Sequence, residues 1–371
     1  MYRHFKIIIA GGKTGGHLFP GIATAQGLKD RLSTVQILFV GTNTPFETQT
    51  LANYGFNHVA ISSRGIKGKG LWEKLSAMAR IPFSIVQATR IIASFKPDLV
   101  LGVGGYSSGP VLMAARLLGK ITAIQEQNAI PGITNRILSL IVHKIFISFK
   151  ETKGFTPGAD TIHTGNPIRR AGHPLEAPQP QEIKETPFAK KQFTLLITGG
   201  SQGATSINKA VVSAMEMLGN PSAYTVIHQT GRCDQEWVTN RYQKMHLNAT
   251  ARAFFHDMPE HQKRADLIIC RAGAGTLSEI TAIGKPAILV PYPHAADDHQ
   301  RYNALALARQ GAAMMILDHE LNGKVLGECI EQLKKNPEKL KKMAGKAKNV
   351  GMPLARDTVA REIIHLISKN R

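Results

Sequence analysis

A short apolar run, a glycine-rich loop and a helix-like stretch follow one another twice in this chain. Residues 6–10 lead into Gly11 to His17, and residues 193–198 lead into Gly199 to Ala204. Glycines let backbone N–H groups and a helix N-terminus come close to an anionic oxygen, so each unit is a potential diphosphate cradle. Using the unit twice implies two lobes with a cleft between them. At 371 residues the chain exceeds the common size of one domain, and apolar runs alternate with helical patterns through both halves. That pattern predicts two α/β domains, each with a sizeable core.

Strands are expected at 6–10, 36–41, 99–103, 121–125 and 144–148, and again at 193–198, 224–229, 251–255, 267–270 and 287–291. Most read as nearly continuous apolar runs, the signature of strands buried on both faces. Between 172 and 191, Pro174, Pro178, Pro180 and Pro187 stand among Glu, Gln and Lys with little periodicity. This is linker composition. It places a linker at 167–191 between a first domain, 1–166, and a second, 192–352. Leu354, Val359, Ile363, Ile364 and Ile367 give the final segment a helical apolar face, and periodicity leaves open which lobe it covers.

Lys and Arg total 46 against 26 Asp and Glu, a formal charge of +20. Such a balance favours an anionic partner without choosing among nucleic acid, membrane surface and phosphorylated substrate. The basic run 334–348 reads first as a solvated helix face. Cys233, Cys270 and Cys329 lack the paired spacing of a metal or redox site, so buried thiols in a reducing compartment are expected. Ile7 to Ile9 is too short for a signal-peptide core, and 137–147 is interrupted by His143 and Lys144. The expectation is a cytoplasmic protein without a transmembrane span.

The first loop, Gly11-Gly12-Lys13-Thr14-Gly15-Gly16-His17, lacks a GxGxxG register. No acidic residue closes the second expected strand, where Val40-Gly41-Thr42 stands, and Lys13-Thr14 is misplaced for a Walker loop. A nicotinamide site is thereby disfavoured. His17 opens the following helix, where an imidazole can exchange a proton near neutral pH; helix capping and phosphate binding are its alternatives. Glu279 stands one turn into the helix after Gly275, where a carboxylate can accept two hydrogen bonds; helix capping or a helix-dipole role is its alternative. No Asp-x-Asp pair occurs, so no essential metal and no cofactor are expected. Asp297, Asp298, His294 and His299 read as polar loop residues rather than a metal cluster. From 67 to 86, Leu71, Trp72, Leu75, Met78 and Ala79 recur at helical spacing beside Lys67, Lys69, Lys74 and Arg80. With Trp72, Phe83 and the net charge, this stretch favours contact with an anionic membrane surface over core packing.

Six motifs in one order resemble a known family: the Gly11 to Gly21 loop, Gly104-Gly105-Tyr106-Ser107-Ser108-Gly109-Pro110, Gln125-Glu126-Gln127-Asn128, Gly165-Asn166-Pro167-Ile168-Arg169, Gly199-Gly200-Ser201-Gln202-Gly203-Ala204, and Arg271 to Glu279. Together they resemble the MurG family of bacterial N-acetylglucosaminyltransferases, within glycosyltransferase family 28. The resemblance implies a GT-B fold, two Rossmann-like domains with parallel sheets facing across a deep cleft, with the C-terminal helix, 353–371, returning to the first. It implies inverting transfer of N-acetylglucosamine from UDP-GlcNAc to the muramoyl C4 hydroxyl of lipid I, giving lipid II and UDP in peptidoglycan synthesis. The setting implied is peripheral, on the cytoplasmic face of the plasma membrane, with cell-wall synthesis and division proteins as further partners.

By the same resemblance His17 and Glu126 are the candidate proton carriers. Thr14, Gly15, Gly16, Asn128, Arg169, Ser201, Gln202 and Gly203 bind the donor with Ala274, Gly275, Thr276, Leu277, Ser278, Glu279 and Gln300, while Phe255 reads uracil through its backbone. Lys13, Gly104, Gly105, Tyr106 and Ser107 bind the acceptor, and Lys69, Leu71, Trp72, Leu75 and Phe83 meet the membrane. Two positions depart from the family pattern: Lys13 replaces a common glycine, and Gln125 replaces a common histidine and removes one proton carrier. A UDP-sugar epimerase or hydrolase would use a similar donor site but would not need the Gly104 loop or the 71–78 surface. A nucleic-acid-binding protein accounts only for the charge, and the chain lacks an aromatic RNA signature or DNA-reading motif, so no nucleic-acid partner is expected.

Overall fold

In β1 (Phe5–Ala10), Ile7, Ile8 and Ile9 are all fully buried, because successive side chains point to opposite faces of a sheet covered on both sides. The computed structural model in which this strand lies describes residues 4–63, 81–169 and 192–370. The chain divides into two compact units, one running to residue 169 and resuming at 352, the other spanning 170–351.

In the first unit β1 is joined by β2 (Val35–Gly41), β3 (Asn57–Ala60), β4 (Leu99–Gly102), β5 (Ile121–Glu126), β6 (Lys144–Ile147) and β7 (Thr161–His163). All pairs are parallel, in the order β3-β2-β1-β4-β5-β6-β7. The second unit holds β8 (Phe193–Thr198), β9 (Tyr224–Gln229), β10 (Asn248–Arg252), β11 (Leu267–Cys270), β12 (Ala287–Leu289) and β13 (Met314–Met315). These too are parallel, in the order β10-β9-β8-β11-β12-β13. Strand order reverses direction at β1/β4 in one unit and at β8/β11 in the other. In doubly wound sheets ligands bind beyond the carboxyl ends of the strands at that reversal. Both glycine loops predicted from sequence stand there.

Three strands went unanticipated. β3, β7 and β13 are edge strands of four residues or fewer without a buried apolar run. β10 lies at 248–252 instead of 251–255, since its half-buried alternation of Asn, Ala, Thr, Ala and Arg carries no continuous hydrophobic signal. Phe254 and Phe255, which drew the expectation forward, follow the strand in a loop. Of the cysteines expected to be buried, Cys270 is buried and Cys329 half-buried, but Cys233 is exposed on the loop that leads into the helix Gln235–Lys244.

The C-terminal helix, Ala355–Lys369, buries Val359, Ala360, Ile363 and Ile367 in the same cluster as Ile7, Ile9, Leu18, Ile22 and Leu28. Its partner is the helix Gly15–Arg31. A Cβ on Gly27 would lie 2.9 Å from Arg356 Cγ and 3.0 Å from the Arg356 carbonyl, so only glycine admits this approach. Arg356 pairs with Asp30 at 3.3 Å and Arg31 with Asp357 at 3.5 Å. Partly exposed pairs like these contribute little stability but set the register of the two helices. Among the described residues no helix is long and apolar enough to cross a membrane.

Removing a buried Cδ, Cγ1 and Cγ2 set from this seam leaves a cavity, so Ile363→Ala is expected to cost about 2–5 kcal/mol. Hydrogen exchange on the intact chain checks the placement: protection should fall in the 4–169 core and stay unchanged in 192–351. Equal loss in both units would contradict it.

Candidate active site

The loop after β1 and the loop after β4 meet backbone to backbone. A Cβ on Gly11 would lie 2.0 Å from the Gly104 carbonyl oxygen, and Gly11, Gly12, Gly104 and Gly105 all have φ between 86° and 148°. Such conformations and approaches exclude side chains. His17 lies over this contact: a Cβ on Gly104 would stand 2.8 Å from His17 Nδ1. Lys13, itself at φ 48°, places its ammonium 5.8 Å from the centre of the Tyr106 ring. The helices Gly15–Arg31 and Ser108–Leu117 begin at these loops with no side-chain cap and no acid in the first turn. Their N–H groups are therefore available to an anion.

Gly41, at the end of β2 where a nicotinamide fold carries an acid, is explained by Glu47. This side chain is fully buried, and a Cβ on Gly41 would lie within 1.7 Å of its Oε1. Oε2 accepts from the Thr42 N–H at 3.0 Å and the Thr42 hydroxyl at 2.8 Å. Oε1 faces Gly12 and stands 3.9 Å from His58 Nε2. Burial holds the His58 imidazole below its ordinary value, with the Glu47 charge pulling the other way.

Glu126 does not have the form of a proton carrier. It is 1% exposed and both oxygens are occupied: Oε1 accepts from the Asn128 N–H at 2.9 Å and Asn128 Nδ2 at 3.2 Å, and Oε2 from Asn135 Nδ2 at 2.8 Å and the Gly132 N–H at 3.3 Å. The carboxylate organises the loop that follows β5 and orients Asn128. Arg169 is stacked 4.0 Å from the centre of the Phe19 ring and donates to the Tyr54 hydroxyl at 3.0 Å.

In the second unit the helices Thr205–Met217 and Ala274–Ala282 also begin uncapped, with no acid in the first turn, after Gly203-Ala204 and Gly273. Ser201 and Gln202 are exposed on the β8 loop. Gly203 and Gly231 cross: a Cβ on one would strike the Thr230 carbonyl at 2.1 Å, and on the other the Gln202 carbonyl at 2.4 Å. Thr276 and Gly275 are half-buried in the first turn of the second helix, and Ala274 and Leu277 face the core. Ser278 turns its hydroxyl back to the Ala274 carbonyl at 2.8 Å, so it is not directed at a phosphate. Glu279 is half-buried and its Oε2 accepts from Gln262 Nε2 at 3.1 Å, which aims the carboxylate. Gln300 holds the Tyr292 N–H through Oε1 at 3.0 Å, beside Asp297 and Asp298, both at φ 54°. Phe255 is buried and its N–H donates to Gln229 Oε1 at 2.9 Å, so a base reading that N–H would have to displace the glutamine.

Several positioning groups had no assigned role from sequence. Arg271 lay inside a quoted motif; its guanidinium binds Asp318, Ser206 Oγ and the Val290 and Pro291 carbonyls, joining three loops and the first turn of the helix Thr205–Met217. Beneath the β8 loop, Tyr242 O–H meets His228 Nδ1 at 2.7 Å and His228 Nε2 meets Asn208 Oδ1 at 3.0 Å. Asn208 Nδ2 then donates to Asp234 Oδ2 at 2.8 Å, which also accepts from Thr205 at 2.7 Å. Only spacing across three elements joins these residues, and one-dimensional pattern does not carry that. Of the expected membrane residues, Lys69, Leu71, Trp72 and Leu75 lie outside the described residues; Phe83 is 57% exposed. Leu117 and Leu140 are 78% and 65% exposed, with Val86, Met113 and Ile137 also exposed, all on or just after the helices Ile81–Phe95, Ser108–Leu117 and Ile133–Leu138. Among the described residues no group of His, Cys, Asp and Glu stands ready to hold a metal ion.

Two parallel doubly wound units, each with glycine loops and uncapped helix N-termini at the strand-order reversal, define a two-Rossmann-domain protein. Residues 7–147 match the glycosyltransferase family 28 N-terminal domain and residues 194–359 the glycosyltransferase family 28 C-terminal domain, and the chain belongs to that family. It is 42% identical over 363 residues to the UDP-N-acetylglucosamine--N-acetylmuramyl-(pentapeptide) pyrophosphoryl-undecaprenol N-acetylglucosamine transferase of Myxococcus xanthus, covering 98% of this chain and 93% of that one. It is 43% identical to the enzyme of the same name from Geobacter sulfurreducens, covering 97% and 98%. Among solved structures, that of Acinetobacter baumannii MurG matches with a TM-score of 0.78 at 32% identity, covering 98% and 99%.

Burial pushes His228 from 6.5 down to about 3, so it is neutral in the folded chain while the unfolded chain binds a proton below pH 6.5. Its share of stability is complete above the unfolded value and is lost as pH falls toward the folded one, with a slope of about 1.4 kcal/mol per pH unit. His228→Asn should melt lower than the parent at neutral pH yet show a flatter Tm between about pH 6 and 4. Parallel Tm curves would assign the acid sensitivity to another group.

Proposed function

We propose that this chain transfers N-acetylglucosamine from UDP-GlcNAc to the C4 hydroxyl of the muramoyl sugar of lipid I, with inversion, giving lipid II and UDP for peptidoglycan synthesis. The observation that carries this reading is the match, through both units at 42% identity, to relatives named for that transfer.

In the step proposed, His17 takes the proton of the acceptor hydroxyl as its oxygen bonds to the anomeric carbon of the donor. The bond from that carbon to the diphosphate oxygen breaks, and its electron pair leaves with UDP. Negative charge grows on the diphosphate, and the uncapped starts of the helices Thr205–Met217 and Ala274–Ala282 suit it. Thr14, Gly15, Gly16, Asn128, Arg169 and Gln300 complete the donor contacts in this reading, and Glu279, aimed by Gln262, takes the ribose hydroxyls. Lys13, Gly104, Gly105, Tyr106 and Ser107 receive the acceptor diphosphate. The exposed side chains Phe83, Val86, Met113, Leu117, Ile137 and Leu140 support a peripheral seat on the inner face of the plasma membrane.

UDP release from UDP-GlcNAc, followed in EDTA with and without a short-chain lipid I analogue, tests the reading. Acceptor-dependent release, with the disaccharide identified by mass spectrometry, is expected. Release without acceptor would mark a hydrolase or epimerase. Glu279→Ala should raise the donor KM more than it changes kcat, because a ribose contact persists from ground state to transition state. An unchanged KM would remove that role. For the membrane seat, a Phe83→Glu, Leu117→Glu double variant should bind anionic vesicles more weakly than the parent while keeping its melting temperature; equal binding would place the contact elsewhere.

A further inference from the structure

We infer that Gln127 is a positioning residue that fixes His17 as its Nδ1–H tautomer, leaving Nε2 as the nitrogen with the free lone pair. Its catalytic consequence rests on the reading of His17 as the base, but the tautomer itself does not.

The argument turns on which end of the Gln127 amide faces His17. Gln127 is 1% exposed just after β5. One end of the amide is surrounded by acceptors: the Val103 carbonyl at 2.9 Å, the Gln125 carbonyl at 3.2 Å and the Gln125 side-chain oxygen. Carbonyl oxygens do not donate, so this end must be the NH2 group, and the Gln127 carbonyl is the end that meets His17 Nδ1 at 2.9 Å. An amide oxygen only accepts. The hydrogen between the two must therefore sit on Nδ1, and a neutral imidazole with its one hydrogen there has a bare Nε2.

Gln125 is oriented in the same way. Its Nε2 donates to Asn166 Oδ1 at 3.2 Å and to Ser148 Oγ at 3.2 Å, while the Ser148 hydroxyl donates onward to the Glu126 carbonyl at 2.7 Å. The result is a one-way chain from His17 through Gln127 to Gln125 and Asn166, built only of neutral groups. The ring is also confined from below, since a Cβ on Gly104 would lie 2.8 Å from Nδ1 and 2.9 Å from Cε1. A nucleophile-base-orienter arrangement needs a third group that holds the imidazole in one tautomer. Here an amide does this without placing a carboxylate charge on the ring. Gln125, at a position that is commonly histidine in the resembling family, holds Gln127 and cannot carry a proton away from His17.

The test is 15N spectroscopy of the histidine-labelled full-length chain, with the His17 signals assigned by their loss in His17→Gln. Pyrrole-like Nδ1 and pyridine-like Nε2 are expected in the parent; the reverse pattern overturns the inference without any variant. Gln127→Met keeps the volume but removes the acceptor. It should lose the Nδ1–H preference and lower kcat about tenfold or more with the donor KM within about twofold. A Gln127→Met chain that keeps both the Nδ1–H pattern and full kcat, while His17→Gln is inactive, refutes the role of Gln127. If His17→Gln itself turns over normally, the base reading fails, and the parent spectrum still decides the tautomer.

Discussion

The structure depends on one geometric constraint, the approach of backbone to backbone at the carboxyl ends of neighbouring central strands. At Gly11 the space for a Cβ is already occupied by the Gly104 carbonyl oxygen and at Gly104 by the His17 ring, while at Gly203 and Gly231 carbonyl oxygens occupy it across the β8 and β9 loops. Without side chains, the first turns of the following helices stand open at the strand-order reversal, which leaves their N–H groups accessible to an anion in the proposed reading. His17 lies flat on one of these contacts, and Glu47 fills the volume beneath it that Gly12 and Gly41 leave empty. A methyl group at any of these glycines would displace a neighbour rather than merely crowd it.

Beneath each loop lies a buried polar network that serves the same purpose by different residues. In the first unit it is the amide chain from Gln127 to Asn166, and in the second the chain from Tyr242 through His228 and Asn208 to Asp234. An unpaired polar group in a core is costly, so a network whose members are all paired locks its loop in one arrangement. His228 is kept neutral by burial, and Asp234 is held below its ordinary value by hydrogen bonds from Trp237, Thr205 and Asn208, which outweigh its desolvation. Electrostatics of this kind stabilises the loop, not a charge at the surface.

Much of the fold was legible in the chain because central parallel strands are buried on both faces and so read as apolar runs. β1, β8 and β11 are the clearest cases. Edge strands were not legible: β3, β7 and β13 are short and half-exposed, and β10 was displaced by the aromatic pair that follows it. In the candidate site the glycine loops, His17 and Glu279 announce themselves by type and spacing. Gln127, Gln229, Arg271 and Asn208 do not, because an amide or guanidinium buried under a loop looks in sequence like any surface residue. Thr44 and Glu47 even have the spacing of a capping box, yet the Glu47 side chain turns to Thr42 instead of back to Thr44.

The order of residues by itself determined the two doubly wound units, the four glycine loops and the residue types available for phosphate, diol and proton chemistry, since each is a local matter of hydrophobic period and backbone freedom. Only the tertiary structure decided that the last helix closes the core of the first unit, that Glu126 is occupied with its own loop, and that Nδ1 of His17 meets an acceptor. These depend on hydrogen bonds and packing between residues far apart in the chain, such as Arg356 with Asp30 and Gln127 with His17, and direction along such a bond exists only once both ends are in place.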